Sequence, residues 1–198
     1  MSYSAHPRSS RAKRKRDKLI LIGIGGNMAS LRFGAPRDTL AAALVALEAE
    51  GIQVTTRSAW YRTEPVPRSD QPWFVNAVAS LATNLAAPDL LAMLQAVERQ
   101  FGRVRGERNA SRVLDLDLLD HRGQVTETAS LVLPHPRLHQ RRFVLVPLAE
   151  IAPSWRHPVS GLTAEQLLSR LATRQSIERL QCCSDVGPVG CARDAAPI

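Results

Sequence analysis

Lysine is nearly missing from this chain. Its three lysines, Lys13, Lys15 and Lys18, all fall in the first 18 residues, so the remainder handles anions through arginine alone. A Walker-type phosphate loop needs Gly-Lys-Ser/Thr and is excluded by that count. Cysteine is also scarce: Cys182, Cys183 and Cys191 are an odd set confined to the C-terminal stretch. They make no disulfide framework, lack a fourth ligand for tetrahedral zinc, and fit a reducing, cytoplasmic setting. Four Phe, three Trp and two Tyr are all the aromatic rings available, so a planar ligand has few stacking partners. No apolar run approaches the roughly 20 residues of a membrane span, and no signal-peptide core follows the basic N-terminus.

What is present describes one globular domain. The chain has 198 residues, 44% hydrophobic and 22% charged, enough for a single packed core. Its net charge of +8 is unevenly spread. Arg8, Arg11, Lys13, Arg14, Lys15, Arg16 and Lys18 against Asp17 place most of the excess in residues 1–18. The expected organisation is a basic disordered tail over 1–18, a folded domain over 19–180, and a disordered Cys-containing tail over 181–198.

Within the domain, Lys18 to Gly23 reads as a buried strand stopped by Gly23-Ile24-Gly25-Gly26-Asn27, whose glycines suggest a sharp turn. Pro36 opens a helix with Leu40, Leu44 and Leu47 on one side, closed by Gly51. Two extended runs, Ile52 to Arg62 and Phe74 to Thr83, flank a Pro-rich loop. Pro88 and Asp89 open a second helix ending at Gly102, and Val113 to Leu119 reads as another strand. Strand, helix, strand, strand, helix, strand is the α+β, ferredoxin-like βαββαβ order: an antiparallel sheet with helices packed on one face. Phe143 to Ile151 and Thr163 to Leu171 read as short C-terminal helices.

The chemistry concentrates at Leu114-Asp115-Leu116-Asp117-Leu118. Alternation on a strand points both carboxylates one way, about 6 to 7 Å apart, and the leucines the other. That pattern is equally a strand with one solvated face. Arg99, Arg103, Arg105, Arg108 and Arg112 precede it, more cations than two aspartates neutralise, which favours a shared polyanion with Mg²⁺ on the aspartates. Pro134-His135-Pro136 holds a histidine on a stiff, extended segment, as a catalyst or a structural hydrogen-bond partner. By composition alone, Phe74 and Phe143 read as core residues.

Taken together, these residues resemble the 6-hydroxymethyl-7,8-dihydropterin pyrophosphokinases of folate biosynthesis, from about Leu19 to about Leu171. The resemblance is carried by Ile22 to Asn27, Trp60 to Pro65, Asp70 to Ala77, Glu98 with Gly102 to Arg105, Arg112 to Leu118, and Leu133 to Leu145. It implies transfer of pyrophosphate from ATP to the hydroxymethyl group of the pterin, with release of AMP. By that similarity two Mg²⁺ ions lie on Asp115 and Asp117, while Arg103 and Arg112 stabilise the transferring group. Gln95, Glu98, Arg105, Leu118, His135 and Arg141 complete the ATP contacts, Glu98 toward adenine or ribose. The pterin stacks between Phe74 and Phe143, pairs with Asn76, and meets backbone groups at Thr63 and Val66. The implied partners are these small molecules alone, acting on a cytoplasmic monomer.

The chain departs from the family pattern before the aspartates. Arg108-Asn109-Ala110-Ser111-Arg112 stands where many members have Arg-Trp-Gly-Pro-Arg, and Ser130 and Val132 replace arginine and threonine near ATP. A competing reading is a ferredoxin-like nucleic-acid-binding module with a basic arm; scarce aromatics and the acidic pair argue against it.

Overall fold

The computed structural model describes residues 18–103, 110–172 and 175–181. Both expected tails, apart from Lys18 and Gln181, lie outside the described residues, as do the three cysteines, Arg105 and Arg108. Chain order gives β1 (Ile20–Gly26), α1 (Pro36–Ala49), β2 (Gln53–Arg57), β3 (Tyr61–Thr63), β4 (Phe74–Ala82), α2 (Ala87–Gln100) and β5 (Asp115–His121). A small hairpin, β6 (Thr126–Glu127) and β7 (Val132–Leu133), follows, then α3 (Arg142–Ile151), α4 (Ala164–Leu168) and β8 (Ile177–Arg179). The main sheet runs β5-β1-β4-β3-β8, with β2 also paired to β4. Every one of these pairings is antiparallel.

The expected helices form for the expected reasons. Proline occupies the first turn of both α1 and α2, Asp38 and Asp89 sit near the positive helix ends, and glycines follow the last turns. Gly51 and Gly102 adopt φ of +77° and +83°, left-handed values that spare a side-chain clash. Leu40, Leu44 and Leu47 of α1 and Leu90, Leu94 and Val97 of α2 bury against one face of the sheet. Each such side chain contributes about 1.5 to 3 kcal/mol of burial energy.

The opposite face carries α3 and α4, whose Val144, Leu145, Leu148 and Leu167 pack on Leu21, Val78 and Leu119. Thus the short C-terminal helices lie across the sheet from α1 and α2. Pro147 is accommodated inside α3. Tyr61 donates to Glu150 of that helix at 2.8 Å. Burial, followed by that carboxylate, pushes its phenol up to about 12.

Three details differ from the sequence reading. The first strand continues through its glycines to Gly26. A Cβ at Gly26 would collide with the Val113 carbonyl, and one at Gly25 would stand 2.5 Å from the Asn76 amide oxygen, so close approach of neighbours rather than a turn requires glycine. The run from Ile52 to Arg62 breaks into β2 and β3 at Ser58, whose N–H still donates to the Val78 carbonyl at 3.0 Å. Its hydroxyl accepts from Val78 N at 3.1 Å, and Trp60 enters the core beside α1 and α2.

The third is a bulge. Ile22 faces Leu118 while Leu21 faces Asp120, leaving Leu119 as the extra residue. Both Leu119 and Asp120 consequently serve the α3/α4 side, where buried Asp120 accepts from Trp155 Nε1 at 2.7 Å. Burial raises the Asp120 carboxyl, opposed by this bond and by Gly123 N.

Candidate active site

The α3/α4 face of the sheet is bare at one end. Cross-strand register places Tyr61, Asn76, Gly25 and Asp115 in one row and Val78, Gly23 and Asp117 in the next. Glycines at 23 and 25 therefore leave a floor without side chains between Asn76 on one flank and two aspartates on the other. Ile22 and Ile24, facing the other way, keep the strand anchored in the core.

Arginines surround the carboxylates. Arg103 and Arg112 each approach Asp115 at 2.7 Å, and Arg141 reaches Asp117 at 3.2 Å. Arg103 also pairs with Glu98, whose buried carboxylate accepts from Leu116 N at 2.7 Å. Burial raises Glu98, partly offset by these donors. Asp115 is likewise raised, first by burial and then by the charge of Asp117, although Arg112 and Arg103 oppose the shift.

His135 does not extend the chain as a stiff strand. Pro136 supplies the fixed φ of a turn, Arg137 follows at φ −104° and ψ 5°, and Leu138 N donates to the His135 carbonyl at 3.0 Å. The ring Nδ1 accepts from Arg137 N at 3.1 Å, while Nε2 stands 4.0 Å from Asp117. Burial lowers the His135 pKa against the pull of Asp117. Because Nδ1 accepts from Arg137 N, the neutral form of the ring carries its proton on Nε2.

Two cavities meet here. The larger, about 800 Å³, is lined by Thr63, Val66, Phe74, Asn76, Phe143, Arg112, Asp115 and Arg141, with the Arg141 guanidinium 5.4 Å from the centre of the Phe143 ring. The smaller, about 560 Å³, holds Gln95, Glu98 and Leu118. Arg103, Asp117 and His135 line both. Phe74 and Phe143 are only half-buried and line the larger cavity, with Phe143 also packed against the α3/α4 core. Every sequence-proposed site residue except Arg105 has this cavity pair as its setting.

Several contributors went unread in the sequence. Asn27 is buried and joins three segments: its side chain donates to Pro72 O at 3.0 Å and accepts from Arg112 N at 2.8 Å, and its backbone N donates to Arg112 O at 2.9 Å. The glycine turn motif drew attention to it, but only the fold shows that it steadies Arg112. Arg137, Gln140 and Gln175 also line the larger cavity. Arg137 directly follows Pro134-His135-Pro136 and so has a local signal, whereas Gln175 has none.

Among the described residues, no group of three or more His, Cys, Asp or Glu is placed to hold a metal with protein ligands alone. Two carboxylates flanked by arginines instead match Mg²⁺, which prefers oxygen ligands and completes its shell from water and substrate phosphates.

Residues 21–153 match the model of the family described as 7,8-dihydro-6-hydroxymethylpterin-pyrophosphokinase. The chain is 41% identical over 152 residues to a 2-amino-4-hydroxy-6-hydroxymethyldihydropteridine pyrophosphokinase of Synechocystis, covering 76% of this chain and 75% of that protein. Identity to the like-named protein of Methylorubrum extorquens is 40% over 161 residues, 81% of this chain and 97% of the other. A third, from Pseudomonas aeruginosa, is 41% identical over 162 residues, with 81% and 96% covered.

Proposed function

The chain belongs to the 7,8-dihydro-6-hydroxymethylpterin-pyrophosphokinase family, and from that premise we propose how its two joined cavities divide the work. It is an enzyme of folate biosynthesis that transfers pyrophosphate from ATP to the hydroxymethyl group of 6-hydroxymethyl-7,8-dihydropterin, releasing AMP. The observation that carries the division of labour is the shared wall of Arg103, Asp117 and His135. ATP occupies the smaller cavity, and its triphosphate crosses that wall toward the pterin.

In the larger cavity, Phe74 and Phe143 sandwich the pterin. Asn76 presents an amide to its polar edge, and the backbone at Thr63 and Val66 meets the rest. Asn76 Nδ2 donates to Thr63 Oγ1 at 2.6 Å, so the amide is oriented before substrate arrives. In the smaller cavity, Gln95, Glu98 and Leu118 receive the nucleoside. His135 and Arg141 contact the phosphates, as does Arg105 from outside the described residues.

Asp115 and Asp117 would hold two Mg²⁺ ions. When bound, these ions supply charge neutralisation of the triphosphate and acidification of the attacking hydroxyl. The displacement forms a bond from the hydroxymethyl oxygen to the β-phosphorus and breaks the bond to the oxygen shared with the α-phosphate. Arg103 and Arg112 stand ready for the charge developing there, held extended by Glu98 and Asp115. In-line transfer asks for such positioning and electrostatics rather than a covalent protein intermediate.

The working unit is the 19–180 domain, acting as a cytoplasmic monomer. Among the described residues, no helix is long and apolar enough to cross a membrane. The deciding experiment incubates the protein with ATP, Mg²⁺ and 6-hydroxymethyl-7,8-dihydropterin and follows AMP. Pterin-dependent AMP is expected; none above background overturns the reading.

A further inference from the structure

The pterin end of the larger cavity is completed by a segment beyond the 21–153 match. Strand β3 stops at Thr63, opposite Ile177 of β8. The next residue, Glu64, is nevertheless held through both of its backbone polar groups. Its N–H donates to the Ser176 carbonyl at 3.2 Å, and its carbonyl accepts from Gln175 Nε2 at 2.8 Å. Gln175 is buried and lines the cavity itself.

These contacts lie directly beside the surface assigned to the heterocycle. Thr63 orients Asn76, and Val66 follows two residues after Glu64 in the same cavity wall. Without the Gln175 amide, the Glu64 carbonyl would lose its side-chain partner at a largely buried position, where an unmade hydrogen bond is costly. The peptide could then rotate toward other donors, including the pterin. We infer that Gln175 is a positioning residue for the pterin: it fixes the Glu64 peptide and thereby the main-chain edge of residues 63–66 against which the substrate pairs. This rests on the assignment of the larger cavity to the pterin. It adds a specificity element from the C-terminal segment.

Gln175→Met keeps the length of the side chain and removes the donor. Its effect is expected on one substrate only. KM for the pterin rises about fivefold to tenfold, the scale of one buried hydrogen bond, while KM for ATP and kcat stay within about twofold. Gln175→Glu, which sets a carboxylate against the Glu64 carbonyl, should weaken pterin binding at least as much and serves if the methionine variant does not fold. A melting curve identifies folded variants. Pterin affinity is also measured directly by fluorescence titration in the presence of a non-hydrolysable ATP analogue and Mg²⁺, independently of turnover.

Unchanged pterin KM and affinity in a folded variant overturn the inference, as does an equal rise for ATP and pterin, which would mark a general structural role. A wild-type protein that binds the pterin but releases no AMP would instead sink the catalytic reading and leave the titration to judge Gln175. Wild-type protein that fails to bind pterin overturns both.

Discussion

The two faces of the sheet are built from alternate residues of the same strands, yet they solve opposite problems. Toward α1 and α2, Ile20, Ile22 and Ile24 of β1 and Leu114, Leu116 and Leu118 around β5 form an apolar layer. Toward α3 and α4, the same strands begin with Leu21 and Leu119 and then change to Gly23, Gly25, Asp117 and Asp115. One face is covered along its length. The other is covered only halfway, and its uncovered half forms part of the wall of the larger cavity. A site built this way inherits rigidity from the layer beneath it, because Asp115 and Asp117 each have a core leucine on either side in sequence.

The comparison breaks most clearly if adjacent residues are changed on opposite faces. Asp117→Ala should lower kcat more than about a hundredfold, since even indirect partners of a metal commonly cost 10- to 100-fold, with little change in urea midpoint. Turnover near wild type at ordinary Mg²⁺ would remove Asp117 from the proposed metal site. Ile22→Ala, on the covered face, should cost about 2 to 5 kcal/mol of stability while the folded fraction keeps its kcat; equilibrium urea unfolding with activity assays separates the two.

Arg112→Ala should lower kcat more than it weakens ATP, because a charge developing in transfer is what the guanidinium is placed to meet. A rise in KM for ATP alone would assign Arg112 to ground-state binding. Gly25→Ala should act through Asn76, whose amide oxygen the new methyl would displace. Its signature is a pterin KM higher by roughly tenfold, about the energy of one hydrogen bond, and steady-state titration of each substrate checks it.

The smallest effect concerns pH on the covered half. His157 Nδ1 accepts from Val159 N and Ser160 N, each at 3.3 Å, and burial followed by the nearby His139 lowers its pKa. A histidine with a folded pKa below its unfolded value near 6.5 binds protons more readily when unfolded. Its contribution is therefore present above pH 6.5 and is lost as the pH falls through the folded pKa. His157→Asn, which retains an acceptor without the charge, should flatten the fall in stability between pH 7 and pH 5. Parallel thermal-unfolding curves for the two proteins would contradict this.

Much of the covered face was legible from sequence because its signals are periodic. Leucines at helical spacing and paired proline and glycine punctuation correctly mark α1 and α2. The βαββαβ order follows from those elements, and the Asp115/Asp117 alternation marks the strand that carries the carboxylates. The other face depends on long-range relations that no local pattern contains. Gly23 to Gly26 suggests a turn because glycine weakens strands, but at Gly25 and Gly26 the space a side chain would need is occupied by Asn76 and Val113. The break at Ser58 and the extra residue at Leu119 arise from registers fixed across strands. Phe74 and Phe143, which composition alone assigns to the core, both line the larger cavity. Gln175 had no sequence signal, since its role exists only once β8 lies beside β3.

That C-terminal strand also bears on solubility. Without β8, β3 would expose one side of its backbone as an edge available to another chain. Three residues are too few to extend a ladder far, and exposed Glu178 and Arg179 put opposite charges along the new border. Short, charged borders resist edge-to-edge association. Among the described residues, this border strand thus leaves the sheet a poor template for growth into aggregates, a safeguard obtained with a very small amount of secondary structure.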